Sequence, residues 1–238
     1  KAWKEADAVF TRDPDGKWEF RTSLEAWEVE VSGIRFKLEP TDFGHLGIFP
    51  EQKPQWEWIR NKVKTRPGAS VLNLFAYSGG STLAAAQGGA EVCHLDASKK
   101  MCAWAKENAR INGLEEKPIR WIVDDVRKFL MREERRGRRY DAVILDPPSF
   151  GRGPKGELFK IEEHLPDILN HIRAVLSDDP LFILFSCHSP GFTPLSCGHL
   201  IAQMMHGFQG VLETGEMVLE GENVFSIPSG AYARWSAC

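Results

Sequence analysis

From about residue 68 onward the chain alternates short apolar segments with amphipathic ones, and this pattern limits its fold more than any other feature. The apolar segments predict strands at 70–75, 91–95, 119–123, 141–145 and 181–186, and the amphipathic ones predict helices at 81–87, 99–112, 126–134 and 161–176. Repeated strand–helix units predict a parallel sheet with helices on both faces. We therefore expect a doubly wound α/β domain over residues 67–238, with a mostly parallel, Rossmann-like sheet.

Two flanking regions have a different pattern. Residues 210–219 and 224–235 have no predicted helix between them, and we expect them to form an antiparallel pair that completes a seven-stranded sheet. Apolar and polar residues alternate over residues 25–39 across a Ser32-Gly33 turn, which predicts a two-stranded hairpin. Residues 1–66 are accordingly predicted to form a small β-rich arm with a connecting helix at 53–63.

Composition and charge exclude several classes of protein. The chain has 238 residues, of which 42% are hydrophobic and 26% charged, as is typical of a globular domain. Its apolar runs are strand-sized, so no membrane span is expected. The five cysteines include no C-x-x-C pair, which indicates neither a disulfide framework nor a metal site and favours the cytoplasm. With a net charge of −3, binding to a polyanion must depend on local basic patches.

The ends of the chain and its assembly are less constrained. The first residue is Lys rather than Met, which suggests a trimmed chain or a missing upstream segment. The oligomeric state is left open by the sequence.

A glycine-containing turn follows the first predicted strand of the repeated units. The sequence Ala76-Tyr77-Ser78-Gly79-Gly80 lies between this strand and a helix of small residues. Glycines let the backbone approach a ligand at the carboxyl end of a strand, where doubly wound folds bind nucleotides. The spacing is not G-x-G-x-x-G, which argues against a dinucleotide cofactor. The alternative is a turn whose glycines serve packing alone.

Acidic residues end the next two strands. Asp96 is placed to accept hydrogen bonds from both hydroxyls of a ribose, and Asp125, or Asp124 in its place, from an adenine amino group. The alternative for each is a helix N-cap, although Ser98 could cap the helix that follows Asp96. Because the ends of parallel strands meet at one crevice, these carboxylates predict a nucleoside-binding site.

The strand at 141–145 leads into Asp146-Pro147-Pro148-Ser149-Phe150. The two prolines stiffen the turn and leave carbonyl oxygens free to hold the edge of a planar base, on which Phe150 could stack. A rigid strand exit with a buried Phe is the structural alternative. After three strand ends of nucleoside-binding type, we interpret this loop as the catalytic one.

Together, the segments NLFAYSGG, HLDAS, VDDV and ILDPPSF resemble class I S-adenosylmethionine-dependent methyltransferases in order and spacing. The resemblance runs from about residue 42 to the C-terminus and is strongest to the branch that contains large-subunit ribosomal RNA cytosine-carbon-5 methyltransferases, which share a GxFxxQ-type segment, here residues 47–52. It implies S-adenosylmethionine as cofactor and RNA as substrate. The cofactor-binding residues that it implies are Phe49, Gln52, Asn73, Phe75, Ala76, Tyr77, Ser78, Gly79, Asp96, Ala97, Ser98, Asp124, Asp125, Val126 and Asp146. For Phe49 the alternative is a core residue between the arm and the domain.

Cys187 bears on which atom is methylated. An exocyclic amine has a lone pair to offer, whereas carbon 5 of a pyrimidine must first be activated by addition of a thiolate at carbon 6. Cys187 lies in Ser186-Cys187-His188-Ser189, where the cytosine-modifying relatives have Ser-Cys-Ser, so the resemblance favours carbon 5 of cytosine. In that scheme Asp146 assists at the ring nitrogen, and His188 lowers the pKa of the thiol or removes the proton from carbon 5.

Other functions stay open at this point. A Cys at the end of an apolar strand is commonly a core residue. The first alternative is then methylation of an amine of a base, a protein or a small molecule at the Asp146 loop. The second, of another class, is a catalytically silent module that only binds the cofactor.

Two basic segments are candidates for contact with a substrate. Arg152 and Lys155 follow the catalytic loop and, with His188, are predicted to bind the substrate, the two basic residues through its phosphates. Ordinary solvation of an exposed loop is the alternative. The second segment, residues 132–139, is interpreted as a solvated helix end.

Overall fold

The structure is a computed structural model that describes residues 2–12, 16–153 and 156–238. A 3₁₀ turn spans Pro50–Gln52. The strands are β1 (Ala8–Thr11), β2 (Lys17–Phe20), β3 (Trp27–Val31), β4 (Ile34–Leu38), β5 (Ser70–Leu74), β6 (Glu91–Asp96), β7 (Ile119–Val123), β8 (Ala142–Leu145), β9 (Phe150–Arg152), β10 (Leu158–Lys160), β11 (Phe182–Cys187), β12 (Gly210–Leu219) and β13 (Ile227–Ala237). The helices are α1 (Ala2–Glu5), α2 (Lys53–Lys64), α3 (Gly80–Gly88), α4 (Lys99–Ile111), α5 (Val126–Arg135), α6 (Ile161–Val175) and α7 (Pro194–Met204).

Seven strands form the central sheet, in the order β12-β13-β11-β8-β5-β6-β7. The five strands from β11 to β7 are parallel, and β13 pairs antiparallel with both β11 and β12. The predicted doubly wound sheet with its antiparallel C-terminal pair is confirmed. Strand order reverses between β5 and β8, so the connections leave these neighbours in opposite directions and open a crevice at their carboxyl ends.

Each face of the sheet carries an apolar core. On one face α5, α6 and α7 pack through side chains such as Phe129, Ile168 and Ile201. On the other face α2, α3 and α4 pack through side chains such as Ile59 and Leu83. Successive residues of the central strands supply both cores because neighbouring side chains of a strand point to opposite faces.

The β3–β4 hairpin of the arm lies against α4. The side chain of Asn108 accepts a hydrogen bond from the backbone N–H of Lys37 at 2.9 Å, and the indole of Trp104 donates to the carbonyl of Lys37 at 2.9 Å. The side-chain amide of Asn112 accepts a hydrogen bond from the backbone N–H of Arg35 and donates one to its carbonyl oxygen. These bonds satisfy backbone groups on the free edge of β4 and attach the arm to the half of the domain that contains β5, β6 and β7.

Several elements were not predicted from the sequence. Helix α7 was not predicted, although it begins with a capping box between Thr193 and Ser196. Where a flexible loop was predicted, β9 and β10 form a hairpin whose strands have three residues each, too few for a visible alternation. Hairpin β1–β2 precedes the predicted arm hairpin. No helix in the described part of the chain is both long and apolar enough to cross a membrane.

Candidate active site

A cavity of about 470 Å³ lies at the carboxyl ends of the parallel strands, where the strand order reverses. A smaller one of about 40 Å³ lies beside it and shares Phe49, Phe75, Tyr77 and Asp146 with it. The larger cavity is lined by the predicted cofactor residues Phe49, Phe75, Tyr77, Asp96, Ala97, Ser98, Asp125, Val126 and Asp146. The smaller one adds Gln52, Asn73, Ala76, Ser78 and Gly79. The structure thus brings together the predicted cofactor residues, with the exception of Asp124.

The turn after β5 is held in an unusual backbone conformation. Phe75 and Tyr77 have positive φ values of 56° and 49°, and Gly79 has a φ of 95°. Left-handed conformations of residues other than glycine cost on the order of 1–3 kcal/mol and persist where the surroundings fix them. Here Asp96 accepts the backbone N–H of Tyr77 at 2.9 Å, and the hydroxyl of Ser78 donates to the carbonyl of Gly47 at 2.6 Å. The turn is therefore a preformed wall of the cavity.

Asp96 lies at the end of β6 with both carboxylate oxygens engaged by the backbone. One oxygen accepts the N–H of Tyr77, and the other accepts the N–H of Ser98 at 2.8 Å. Burial raises the pKa of this carboxyl group, and the two hydrogen bonds oppose that rise. Each oxygen can accept a further hydrogen bond, so the side chain can still bind a ribose diol. Ser98 caps α4, which leaves Asp96 free of that role.

The two acids after β7 have different positions. Asp125 lines the larger cavity and also caps α5, since its carboxylate accepts the N–H of Lys128 at 3.0 Å. Asp124 forms an ion pair with Arg132 and accepts the N–H of Asp125 at 2.9 Å. Because its carboxylate is engaged there and does not line either cavity, the structure does not support Asp124 as a cofactor residue.

Asp146 is fixed by a residue from the arm. The side-chain amide of Gln52 donates to Oδ2 of Asp146 and to the hydroxyl of Ser186, each at 3.0 Å. Within the described residues, Oδ1 of Asp146 and the hydroxyl of Tyr77 are buried without a hydrogen-bond partner. Both residues line the two cavities, and leaving such groups unpaired costs free energy. The site is therefore suited to a ligand with polar groups of its own.

His188 lies between two carboxylates. Its Nδ1 is 2.7 Å from the carbonyl oxygen of Ser229 and 3.7 Å from Glu51, and its Nε2 is 3.6 Å from Oδ1 of Asp146. Burial lowers the pKa of His188, but Asp146 above all, with Ser229 and Glu51, raises it to a net value of about 9. With this pKa the protonated form of the ring predominates at neutral pH, which does not favour a base. The predicted role of His188 in removing a proton from carbon 5 is therefore not supported.

Cys187 points away from this arrangement. Ser186 bonds Gln52 and His188 contacts Asp146, so the residue between them on β11 faces the opposite side of the sheet. The thiol is 1% exposed and belongs to the apolar core that packs against α6 and α7. Burial raises its pKa, and hydrogen bonds with Ser189 oppose that rise. The structure thus places Cys187 in the core and not on the wall of the cavity.

The predicted catalytic loop and substrate residues are only partly in contact with the cavity. Pro147 and Pro148 line it, and Phe150 is 55% exposed at the start of β9, so the alternative of a buried Phe is wrong. His188 also lines the cavity. Lys155 and the side chain of Arg152 lie outside the part of the chain that the structure describes.

Sequence reasoning missed several residues of the site. His45 and Arg127 line the larger cavity, and Glu51 and Ser229 hold His188. Glu51 was visible beside Gln52 in the GxFxxQ-type segment. Ser229 comes from the C-terminal strand pair, and its position beside β11 depends on strand pairing that no local signal reveals.

Comparisons with known proteins show the family of this chain. A family model described as S-adenosylmethionine-dependent methyltransferase matches residues 7–187. The crystal structure of a SAM-dependent methyltransferase from Agrobacterium tumefaciens is 42% identical to this chain, with a TM-score of 0.92 over 99% of this chain and 78% of that one.

Curated relatives include ribosomal RNA methyltransferases. The ribosomal RNA large subunit methyltransferase K/L of Shewanella baltica is 31% identical over 147 residues, 61% of this chain and 20% of that protein. The ribosomal RNA large subunit methyltransferase I of Aeromonas salmonicida is 28% identical over 167 residues, 70% of this chain and 41% of that protein. The chain spans a fifth to about two fifths of the length of these relatives. It belongs to the S-adenosylmethionine-dependent methyltransferase family, with S-adenosylmethionine as its cofactor.

Proposed function

We propose that this enzyme transfers a methyl group from S-adenosylmethionine to a base of large-subunit ribosomal RNA, in the cytoplasm. The similarity to curated ribosomal RNA methyltransferases supports the substrate class. The observation that carries the chemistry is the carboxylate of Asp146, which Gln52 holds by one oxygen. The other oxygen, Oδ1, is buried beside the cavity without a hydrogen-bond partner in the described residues, and Nε2 of His188 lies 3.6 Å from it. Such an oxygen is poised to accept an N–H of the methyl acceptor.

The residues of the two cavities fit the cofactor. The carboxylate of Asp96 can accept the ribose hydroxyls, and Asp125 can accept the adenine amino group with the oxygen that does not cap α5. Asp146 adds a negative charge that complements a sulfonium, and the turn at residues 75–79 keeps the backbone close to the ligand. When bound, S-adenosylmethionine supplies an electrophilic methyl group on a positively charged sulfur.

The acceptor that the geometry supports best is an amine of a base. Pro147 and Pro148 lack backbone N–H groups, so the loop presents acceptors to the base edge, and Asp146 can bind the amine proton. The exposed ring of Phe150 can stack on the base. An amine needs no covalent activation, and catalysis then consists of aligning nitrogen with the methyl carbon in a site that excludes water.

Carbon 5 of cytosine, attacked after addition of Cys187, is the second candidate. It is favoured by the position of Cys187 at the end of β11, the strand next to the one that delivers Asp146. The buried, inward orientation of the thiol is the reason for ranking it second. Covalent catalysis requires this side chain to turn toward the cavity.

Analysis of the methylated nucleoside tests both candidates. The purified enzyme is incubated with isotopically labelled S-adenosylmethionine and protein-free bacterial large-subunit ribosomal RNA, and the digested RNA is analysed by mass spectrometry. An N-methylated nucleoside supports the proposal, and 5-methylcytidine supports the second candidate. If the enzyme binds the cofactor and leaves every RNA nucleoside unlabelled, the RNA substrate is excluded.

A further inference from the structure

A third cavity lies at the opposite edge of the sheet from the active site. It has a volume of about 440 Å³ and lies where β5, β6 and β7 begin, next to the segment that leads into β8. Its rim carries four cations, Lys117, Arg120, Arg138 and Arg139, and Glu91 is the one acid among the described residues that line it. We call it the basic cavity. The proposed reaction leaves this cavity without a role.

Most of these cations have no acidic partner. Arg120 pairs with the buried carboxylate of Glu133 at 3.4 Å. Within the described part of the chain, Lys117, Arg138 and Arg139 form no salt bridge, and all three side chains are exposed. Among neighbouring cations of the same helix end, Arg132 pairs with Asp124, and Arg136 shares the carboxylate of Glu133 with Arg120. The basic cavity therefore carries three exposed cations that no carboxylate of the described residues pairs with.

Helix α5 connects the basic cavity with the active site. Val126 and Arg127 at its start line the larger cavity of the active site, and Arg138 and Arg139, just after its end, line the basic cavity. The helix has 10 residues, so its length is about 15 Å. At about 3.4 Å per stacked nucleotide, this corresponds to four or five nucleotides of one strand.

We propose that the basic cavity binds a backbone phosphate of the RNA whose target base lies in the active site. The inference rests on the proposed RNA substrate. A chain with a net charge of −3 needs a local basic patch to attract a polyanion, and arginine side chains match phosphate oxygens with two parallel N–H donors. Such a contact fixes the register of the RNA without reading its sequence. The target nucleotide is then selected partly by its distance from an anchored phosphate.

Charge removal at the cavity tests this inference in the full chain. The variants are Lys117→Ala and Arg139→Ala, and the matched control is Lys64→Ala, which removes an exposed lysine from α2. Binding of protein-free bacterial large-subunit ribosomal RNA is measured at several salt concentrations, together with methyl transfer at saturating RNA and calorimetry with S-adenosylmethionine. We expect each cavity variant to weaken RNA binding roughly threefold to tenfold and to lower the salt slope by about 1. Cofactor affinity and the rate at saturating RNA stay at the wild-type level.

Each outcome has one meaning. If wild-type enzyme methylates RNA and the cavity variants bind it like Lys64→Ala, the inference is overturned and the proposed function stands. If wild-type enzyme neither binds nor methylates RNA, both fail. Titration with inorganic phosphate identifies a third result. If the wild-type enzyme binds phosphate saturably and Arg139→Ala abolishes that binding without changing the affinity for RNA, the cavity is a site for a small phosphorylated molecule. The RNA contact is then overturned.

Discussion

The imidazole of His188 and the carboxylate of Asp146 form an ion pair beside the larger cavity of the active site, with Nε2 and Oδ1 3.6 Å apart. Consecutive residues of the 3₁₀ turn hold the two partners. Gln52 donates to Asp146, and Glu51 lies 3.7 Å from Nδ1 of His188 while accepting the hydroxyl proton of Ser229. The arm, the strand end of β8 and the C-terminal strand pair thus meet at one charged pair.

Protonation of His188 predicts a pH-dependent stability. Its pKa is 6.5 in an unfolded chain and about 9 in the folded protein, so the folded state binds the proton more tightly. The stabilisation is therefore complete below pH 6.5 and is lost as the pH rises through about 9. Because the side chain is 31% exposed, we discount for screening and expect a loss on the order of 1–2 kcal/mol. Urea unfolding across this range measures it, and an equal loss in His188→Gln contradicts the assignment.

Asp146→Asn is expected to slow methyl transfer roughly 100-fold. The change keeps the size of the side chain but removes the negative charge. One of the two carboxylate oxygens becomes an NH₂ group, which cannot accept the proton of the amine. The pKa of His188 falls as well, because Asp146 is the largest of the groups that raise it. Single-turnover rates with labelled cofactor measure the first effect. Asp178→Asn, at an exposed position after α6, is the control, and equal rates in the two variants exclude a catalytic role.

Gly79→Ala is expected to weaken cofactor binding at least about tenfold, through strain in the turn after β5. Gly79 has a φ of 95°, and an added Cβ would lie 3.0 Å from the Cβ of Ala105. Gly113→Ala is a matched control because its φ is 65° and no atom lies within 4 Å of an added Cβ. We expect both to lose about 1–2 kcal/mol of stability from the left-handed backbone. Calorimetry separates them, and the same affinity in both would exclude a special role for the turn.

Cys187→Ala distinguishes the two acceptors. For an amine acceptor we expect a loss of about 1 kcal/mol in stability, from the cavity left in the core, with methyl transfer within roughly threefold of wild type. Cys238→Ala, at an exposed position, controls for removal of a thiol. Loss of transfer with cofactor affinity and stability retained would instead establish Cys187 as the nucleophile.

The sheet and much of the site could be predicted because their signals are local. A strand that ends in Asp96 or Asp146 carries its own apolar run, and the end of a parallel strand has a fixed place at one edge of the sheet. Helices α4, α5 and α6 were placed within a residue or two of their observed ends, since apolar spacing marks their buried faces.

What could not be predicted depends on orientation within the assembled fold. Asp124 and Asp125 are the same residue type side by side, and the start of α5 decides which of them lines the cavity. For Cys187 and His188 the question was which face of β11 the site occupies. That became clear only from Gln52, whose side chain bonds Ser186 on the same face as His188. Contacts across 134 residues of sequence leave no local pattern.

The attachment of the arm to α4 and α3 has a consequence for how this protein can be divided. Trp56 is 3% exposed and packs directly on Gly80, where an added Cβ would lie 2.7 Å from its ring. Gln52, a few residues earlier, completes the active site. A protease or a recombination event that separates residues 1–66 from the rest removes both a buried tryptophan and the partner of Asp146. Exchange of the arm between relatives is therefore expected to succeed only when the cofactor turn is exchanged with it.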